Sequence, residues 1–171
     1  MSDILPCVHL RAIEPEDLDE LYKIENDHDV WGVGNTTVPY SRYALYDYVA
    51  HAQNDIYADR QVRLMIENAQ HEVVGIIDII DFDPKHLRAE IGIVICQSYR
   101  KKGFAQAAIE EIKRYALSVL HLHQLYAYID VDNQASISTF KKCGFTIDNQ
   151  LKDWIYDGKS YRNVWLMQYF F

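Results

Sequence analysis

Three cations and a glycine crowd one turn of this sequence, Arg100-Lys101-Lys102-Gly103, and Phe104, the small Ala105 and Gln106 follow them. Upstream lies an apolar run, Ile91-Gly92-Ile93-Val94-Ile95-Cys96. Downstream, Ala105, Ala108, Ile109, Ile112, Ala116 and Val119 recur at intervals of three and four. This pattern is a strand handing over to an amphipathic helix. The first turn of a helix carries N–H groups without intrahelical partners, at the end where the dipole favours negative charge. Glycine lets a ligand approach the backbone, and the cations add positive field, so the guest such a turn suits is a phosphate group. A plain solvated turn has the same composition, and local physics leaves both readings open. The spacing of a nucleoside-triphosphate loop is absent: Gly158-Lys159-Ser160 imitates only its end, with Asp153 where the first glycine would stand. No Gly-x-Gly-x-x-Gly occurs either, which disfavours a dinucleotide fold.

The remaining reactive side chains are bland. His121-x-His123 lacks cysteines or acids at ligand spacing, so no metal is expected. Cys143 has no adjacent base and reads as a small buried residue at a helix end. Cys7, Cys96 and Cys143 form no Cys-x-x-Cys pair, which points to a reducing compartment without a disulfide framework.

The elements that must position the basic turn follow from periodicity and punctuation. His9 to Ile13 reads as a strand, and a helix opens at Glu14-Pro15-Glu16-Asp17 with Leu18, Leu21 and Tyr22 on one face. Ser41 caps a second helix, with Leu45, Tyr48, Val49 and Ala52 at core spacing. Val62, Leu64 and Ile66 alternate with Arg63, Met65 and Glu67 as in a half-buried strand. Val73 to Ile80 and Glu90 to Cys96 complete a three-strand meander, with Asp81 to His86 as turn material. After the long helix come a strand at Leu125 to Ile129 and a short helix capped by Asp132-Asn133, which carries Ile137 and Phe140 inward and stops at Gly144. Strands at Thr146 to Tyr156 and Tyr161 to Phe170 flank the hairpin turn Asp157-Gly158. The order predicts a mixed α/β sheet with helices on its faces.

At 171 residues, 49% of them apolar, the chain is expected to form one domain over residues 1–171. A formal charge of −8 argues against a nucleic-acid partner and suits a cationic small molecule. No run of about 18 apolar residues and no leader-like start occurs, so no membrane partner and a cytoplasmic location are expected.

Arg100-x-x-Gly103-x-Ala105, set between strand and helix, resembles the pyrophosphate loop of the GNAT family of N-acetyltransferases. The resemblance extends over Leu10-Arg11-Ala12, over Glu90 to Ala105 and over Asn133 to Phe145. Within the family the chain is most similar to the bacterial spermidine/spermine N-acetyltransferases, at Arg88-Ala89-Glu90, at Leu120-His121-Leu122-His123 and at Asp157 to Asn163. It implies a single twisted, mostly antiparallel sheet of about seven strands, splayed between the fourth and fifth, with about four helices. It implies acetyl-CoA as donor, its pantetheine arm along Ile93, Val94 and Ile95, its pyrophosphate on the amides of Arg100 to Gln106 with Arg100 and Lys101 or Lys102 adding charge. Asn133 matches a residue that bonds the arm, and is equally a helix cap.

By the same resemblance Val94 or Ile95 offers a backbone N–H to the oxyanion, and Glu90 matches an acid that can take a proton from the amine, or merely orient it. Phe140 departs from the pattern: it stands where the polyamine enzymes carry a tyrosine that protonates the leaving sulfur. The implied acceptor is a small primary amine such as spermidine or spermine, with a protein N-terminus second and a non-catalytic acyl-CoA sensor as the rival reading. Asp17, Asp19, Glu20, Asp27, Asp29, Asp81 and Asp83 can line a polyamine channel, but acids usual before Pro39-Tyr40 are replaced by Thr37-Val38. Tyr40, Tyr43, Tyr46 and Tyr48 can instead shape a pocket for another amine. Homo-oligomers are frequent among similar enzymes, so one is expected.

Overall fold

A computed structural model describes residues 4–27, 38–52 and 55–171. Asp29 and Thr37, both weighed above, lie outside them. Seven strands form one sheet: β1 (Val8–Ala12), β2 (Val62–Asn68), β3 (Val73–Asp83), β4 (Arg88–Ile95), β5 (Gln124–Asp130), β6 (Thr146–Tyr156) and β7 (Tyr161–Phe170). Their spatial order is β1-β2-β3-β4-β5-β7-β6. The described helices are α1 (Leu18–Glu25), α2 (Arg42–His51), α3 (Ile56–Asp59), α4 (Phe104–Ser118) and α5 (Gln134–Lys142). Every pairing is antiparallel except that of β4 with β5.

That parallel pair is short. Arg88, Ala89 and Glu90 face Gln124, Leu125 and Tyr126, and there the pairing stops. From Ile91 to Ile95, β4 stays registered on β3 (Ile79↔Ile91 to Gly75↔Ile95), while β5 follows β7 along its whole length. Two strands held by different neighbours leave a wedge between them, and this is the splay that the family resemblance implies.

The sheet is packed on both faces in its middle. On one face Ala108, Ile109, Ile112 and Ala116 of α4, with Ile137 and Phe140 of α5, bury against Ile77, Ile79, Ala89, Ile91, Leu125 and Ala127. On the other, Ile24 of α1 joins Met65 and Ile76. This two-sided cover overturns the half-buried alternation expected for β2: Met65 and Ile66, on opposite faces, are both fully buried. Even Glu67 is buried, which it tolerates because Arg11 Nε donates to it at 2.5 Å while Arg11 also grips Asp17 through both terminal nitrogens.

Other boundaries move for local reasons. Pro15–Asp17 forms a 3-10 turn before α1 begins. Ser41 caps α2, accepting from the Ala44 N–H at 3.0 Å, but of its expected core residues only Leu45 is buried; Tyr48 and Ala52 are exposed and Val49 half-buried. Val119 ends α4 facing solvent. The segment expected to turn at Asp81 continues as strand to Asp83, through a register shift between Ile80 and Asp83 with Asp81 at φ 50°. The actual turn follows, with Asp83 Oδ1 accepting from Lys85 and His86. At the far edge, β6 is interrupted twice, between Ile147 and Asn149 and between Leu151 and Ile155.

Gly75 is demanded by close approach: a Cβ there would stand 2.2 Å from the Val94 carbonyl oxygen and 3.1 Å from Ile95 Cα. Gly75→Ala is expected to lower stability by roughly 1–3 kcal/mol, because β4 must be pushed off β3. An unchanged denaturant midpoint would contradict that contact.

Candidate active site

The splay holds a cavity of about 460 Å³. Ile93, Val94 and Ile95 form its strand wall; Arg100, Lys101, Gly103, Phe104, Ala105 and Gln106 form its mouth; Asn133, Thr139 and Phe140 form its helical wall. Twelve of the residues singled out from sequence as coenzyme contacts are Ile93, Val94, Ile95, Arg100, Lys101, Lys102, Gly103, Phe104, Ala105, Gln106, Asn133 and Phe140, and all but Lys102 line this one space. Lys102 turns away, donating to the Ser98 carbonyl at 2.8 Å and lying over the Tyr99 ring.

The mouth follows from backbone geometry. Gly103 sits at φ 85°, a conformation that disfavours any side chain, and begins α4 as its N-cap. The first helical bond runs from Ala107 to Gly103 at 3.0 Å, so the amides of Phe104, Ala105 and Gln106 precede the ladder and remain available at the mouth. On the strand wall, Cys96 donates to Val74 on β3 at 2.9 Å, so Ile95 turns its own N–H and C=O the other way, into the wedge. Arg100 Nε donates to that Ile95 carbonyl at 3.0 Å, tethering a guanidinium at the lip. Asn133 does two things at once: its Oδ1 accepts from Ser136 at 3.1 Å, capping α5, and it faces the cavity. Phe140 is 3% exposed, edge-on to Phe145 at 5.0 Å between centroids.

Glu90 stands where the wedge begins, on the opposite face from α4. Burial pushes its carboxyl up to about 7, with the negative charge of Asp81 adding to the effect. The bulge at Asp81 is what brings a second carboxylate near it. Tyr126, level with Glu90 on β5, is pushed up to about 12 by burial and by the Glu90 charge. Tyr126, Tyr128 and Trp154 continue as an aromatic row, with centroids 5.6 and 5.7 Å apart. Sequence reasoning did not single out these two tyrosines. Their only signal is an i, i+2 pair on one strand face, and its meaning depends on a register set by residues far away in the chain.

Four of the other acids proposed for a channel are spoken for. Asp17 binds Arg11, Asp19 binds Arg42, Glu20 binds Lys23 at 2.6 Å, and Asp83 holds its own turn. Tyr40 and Tyr48 line a second cavity of about 250 Å³, where Arg63 fixes Asp78 by two bonds of 2.8 Å and also binds Glu25. Tyr43 and Tyr46 face solvent. Among the described residues no three His, Cys, Asp or Glu side chains gather as a metal site, and His123 packs on Phe170. Burial pushes the Cys143 thiol up to about 12, too high for a nucleophile.

A family model described as Acetyltransferase (GNAT) domain matches residues 8–146. The chain belongs to the GNAT acetyltransferases. It is an acetyl-CoA-dependent N-acetyltransferase. It is similar to the spermidine N(1)-acetyltransferase of Escherichia coli strain K12, with 29% identity over 167 residues, 94% of this chain and 86% of that protein. A crystal structure of spermidine N-acetyltransferase from Vibrio cholerae with CoA and spermine superposes with a TM-score of 0.83 at 27% identity, covering 95% of each chain. A dodecameric structure of the Vibrio cholerae enzyme superposes with a TM-score of 0.79 at 27% identity, covering 95% of this chain and 93% of that one.

The raised Glu90 carboxyl has a pH signature. A folded-state value near 7 against an ordinary 4.5 means that the stability due to the protonated form is complete below 4.5 and is lost as pH rises through 7. Glu90→Gln is therefore expected to gain thermal stability relative to the parent over that window, measured by Tm at successive pH values. Asp81→Asn should lower the Glu90 titration midpoint, read from side-chain carboxyl NMR, but only part of the way, since burial is the larger cause. A midpoint that does not move would contradict the pairing.

Proposed function

We propose that this enzyme transfers the acetyl group of acetyl-CoA to a primary amine, most plainly a polyamine such as spermidine or spermine, by direct attack. One observation carries the reading: a cavity with helix amides and cations at its mouth lies in the wedge, and a half-buried carboxyl, Glu90, stands on the other face where that wedge begins. The names of the similar proteins support the polyamine class.

In this mechanism the coenzyme's pyrophosphate rests on the amides that open α4, with Arg100 and Lys101 adding charge, and its arm lies along Ile93, Val94 and Ile95. Alkylammonium groups have a pKa of about 10.4, so the attacking nitrogen must first lose a proton. Glu90, poised near neutrality, receives it directly or through one water. The nitrogen lone pair forms the new C–N bond, the carbonyl oxygen takes the negative charge, and a β4 backbone N–H facing the wedge steadies it. The C–S bond then breaks, the electron pair leaves with sulfur, and the cationic nitrogen gives up its second proton to solvent, leaving the neutral amide. Phe140 offers no proton, and a thiol pKa of about 8.5 makes departure as thiolate tolerable. No covalent enzyme intermediate is needed.

Phe140 also favours a second reading, an acyl-CoA sensor without turnover. Both are tested by thiol release from acetyl-CoA over a panel of spermidine, short diamines and peptides with free N-termini. Amine-dependent release supports the enzyme; tight coenzyme binding without it supports the sensor. Phe140→Tyr is expected to raise kcat if sulfur protonation limits the rate, and an unchanged kcat locates the slow step elsewhere. Gly103→Glu is expected to weaken coenzyme binding at least tenfold, since a side chain at that φ meets Pro6 at 3.0 Å and adds repulsion. Unaltered affinity in a folded variant would refute the placement of the pyrophosphate. By likeness to the dodecameric relative we infer a homo-oligomer, to be checked by light scattering.

A further inference from the structure

We propose that Gly92 determines which amines the enzyme accepts: the space its side chain would fill is the seat of the acceptor's reacting nitrogen and first carbons. The inference rests on the acetyl-transfer reading above and deepens it. Gly92 lies two residues beyond Glu90 on β4 and therefore on the same face of the sheet. Its Cα partner on β3 is Asp78, which Arg63 holds in place through two hydrogen bonds. On the other side, the register that ends at Glu90↔Tyr126 brings Tyr128 level with Gly92, at the height where β4 and β5 have already parted.

Neither packing nor conformation requires glycine here. A Cβ built at Gly92 meets no atom of the described residues within 4 Å, whereas one built at Gly75 on the neighbouring strand would run into the β4 backbone. Gly92 is not among the residues at positive φ, so any side chain suits its backbone. What the missing side chain leaves is open space over the strand, beside the point where β4 and β5 part. Glu90 bounds it along the strand, Asp78 lies on one side, and Tyr126 and Tyr128 lie on the other.

The Glu90 carboxylate with tyrosine faces favours an alkylammonium, whose charge the acid attracts and whose methylenes lie against the rings. Attack needs the nitrogen within about 3–3.5 Å of the thioester carbon, approached from the face that bears Glu90. That path crosses Gly92. A side chain there displaces the amine without touching the coenzyme's own wall, so it discriminates against bulk next to the nitrogen.

The test is the series Gly92→Ala, Gly92→Val and Gly92→Leu, assayed by thiol release with spermidine, propylamine and the branched isopropylamine. The expected result is a stepwise fall in amine kcat/KM, reaching about 30-fold or more for Leu and steeper for isopropylamine than for propylamine. The acetyl-CoA KM and the thermal shift produced by CoA should stay within about twofold of the parent. Equal efficiency of the Leu variant with every amine overturns the proposal, as does a parallel loss of amine and coenzyme affinity. Because Gly92→Ala adds one methyl into open space, its folding is secure, and a fall confined to amine KM already counts in favour. A parent enzyme inert toward every amine overturns the acetyl-transfer reading itself, a result distinct from failure at Gly92.

Discussion

The constraint on which this molecule turns is a competition for backbone hydrogen bonds. β5 is registered on β7 from Gln124 to Asp130, and β4 on β3 up to Ile95, so the two strands share only three residue pairs before each follows its own neighbour. A parted pair in mid-sheet exposes peptide groups that a sheet would otherwise satisfy, at a cost comparable to lost hydrogen bonds. The fold repays that cost through what it can then admit. The crossover between the same two strands is α4, so the helix mouth with its free amides is set at the open end of the wedge by chain connectivity alone.

Charge is distributed to match. The chain is acidic overall, yet three buried or half-buried carboxylates are neutralised by arginines: Asp17 and Glu67 by Arg11, Asp78 by Arg63. Positive groups gather at the lip of the 460 Å³ cavity, where Arg100 is tethered to Ile95. Glu90 and Asp81 are left to act on each other across the opposite face. Fields of opposite sign thus stand on opposite sides of one strand.

Much of this was legible in the sequence. One-sided periodicity marked α4 and α5, the Asp157-Gly158 turn marked the last hairpin, and the basic turn with Gly103 marked the mouth. What was illegible shares a physical cause, dependence on partners distant in the chain. Met65 looks like an outward residue until α1 covers the second face of β2. Asp81 looks like a turn residue because bulges and turns draw on the same amino acids, and only pairing of Asp83 with Arg88 tells them apart. Tyr126 and Tyr128 gain meaning only through the register with Glu90. Lys102 is indistinguishable by type from Lys101, and only the bond to Ser98 sends it elsewhere.

The two interruptions of β6 bear on how copies of the chain can associate. β6 is the outermost strand of a long hairpin, eleven residues with one side of its backbone free of the sheet. An unbroken edge of that length invites a neighbour to extend the sheet. Shifts at Asn149 and Ile155, with Asp153 at φ 51°, break it into runs too short and too twisted to serve as a template. Any contact between copies along this edge must then be made by side chains rather than by open-ended ribbon growth.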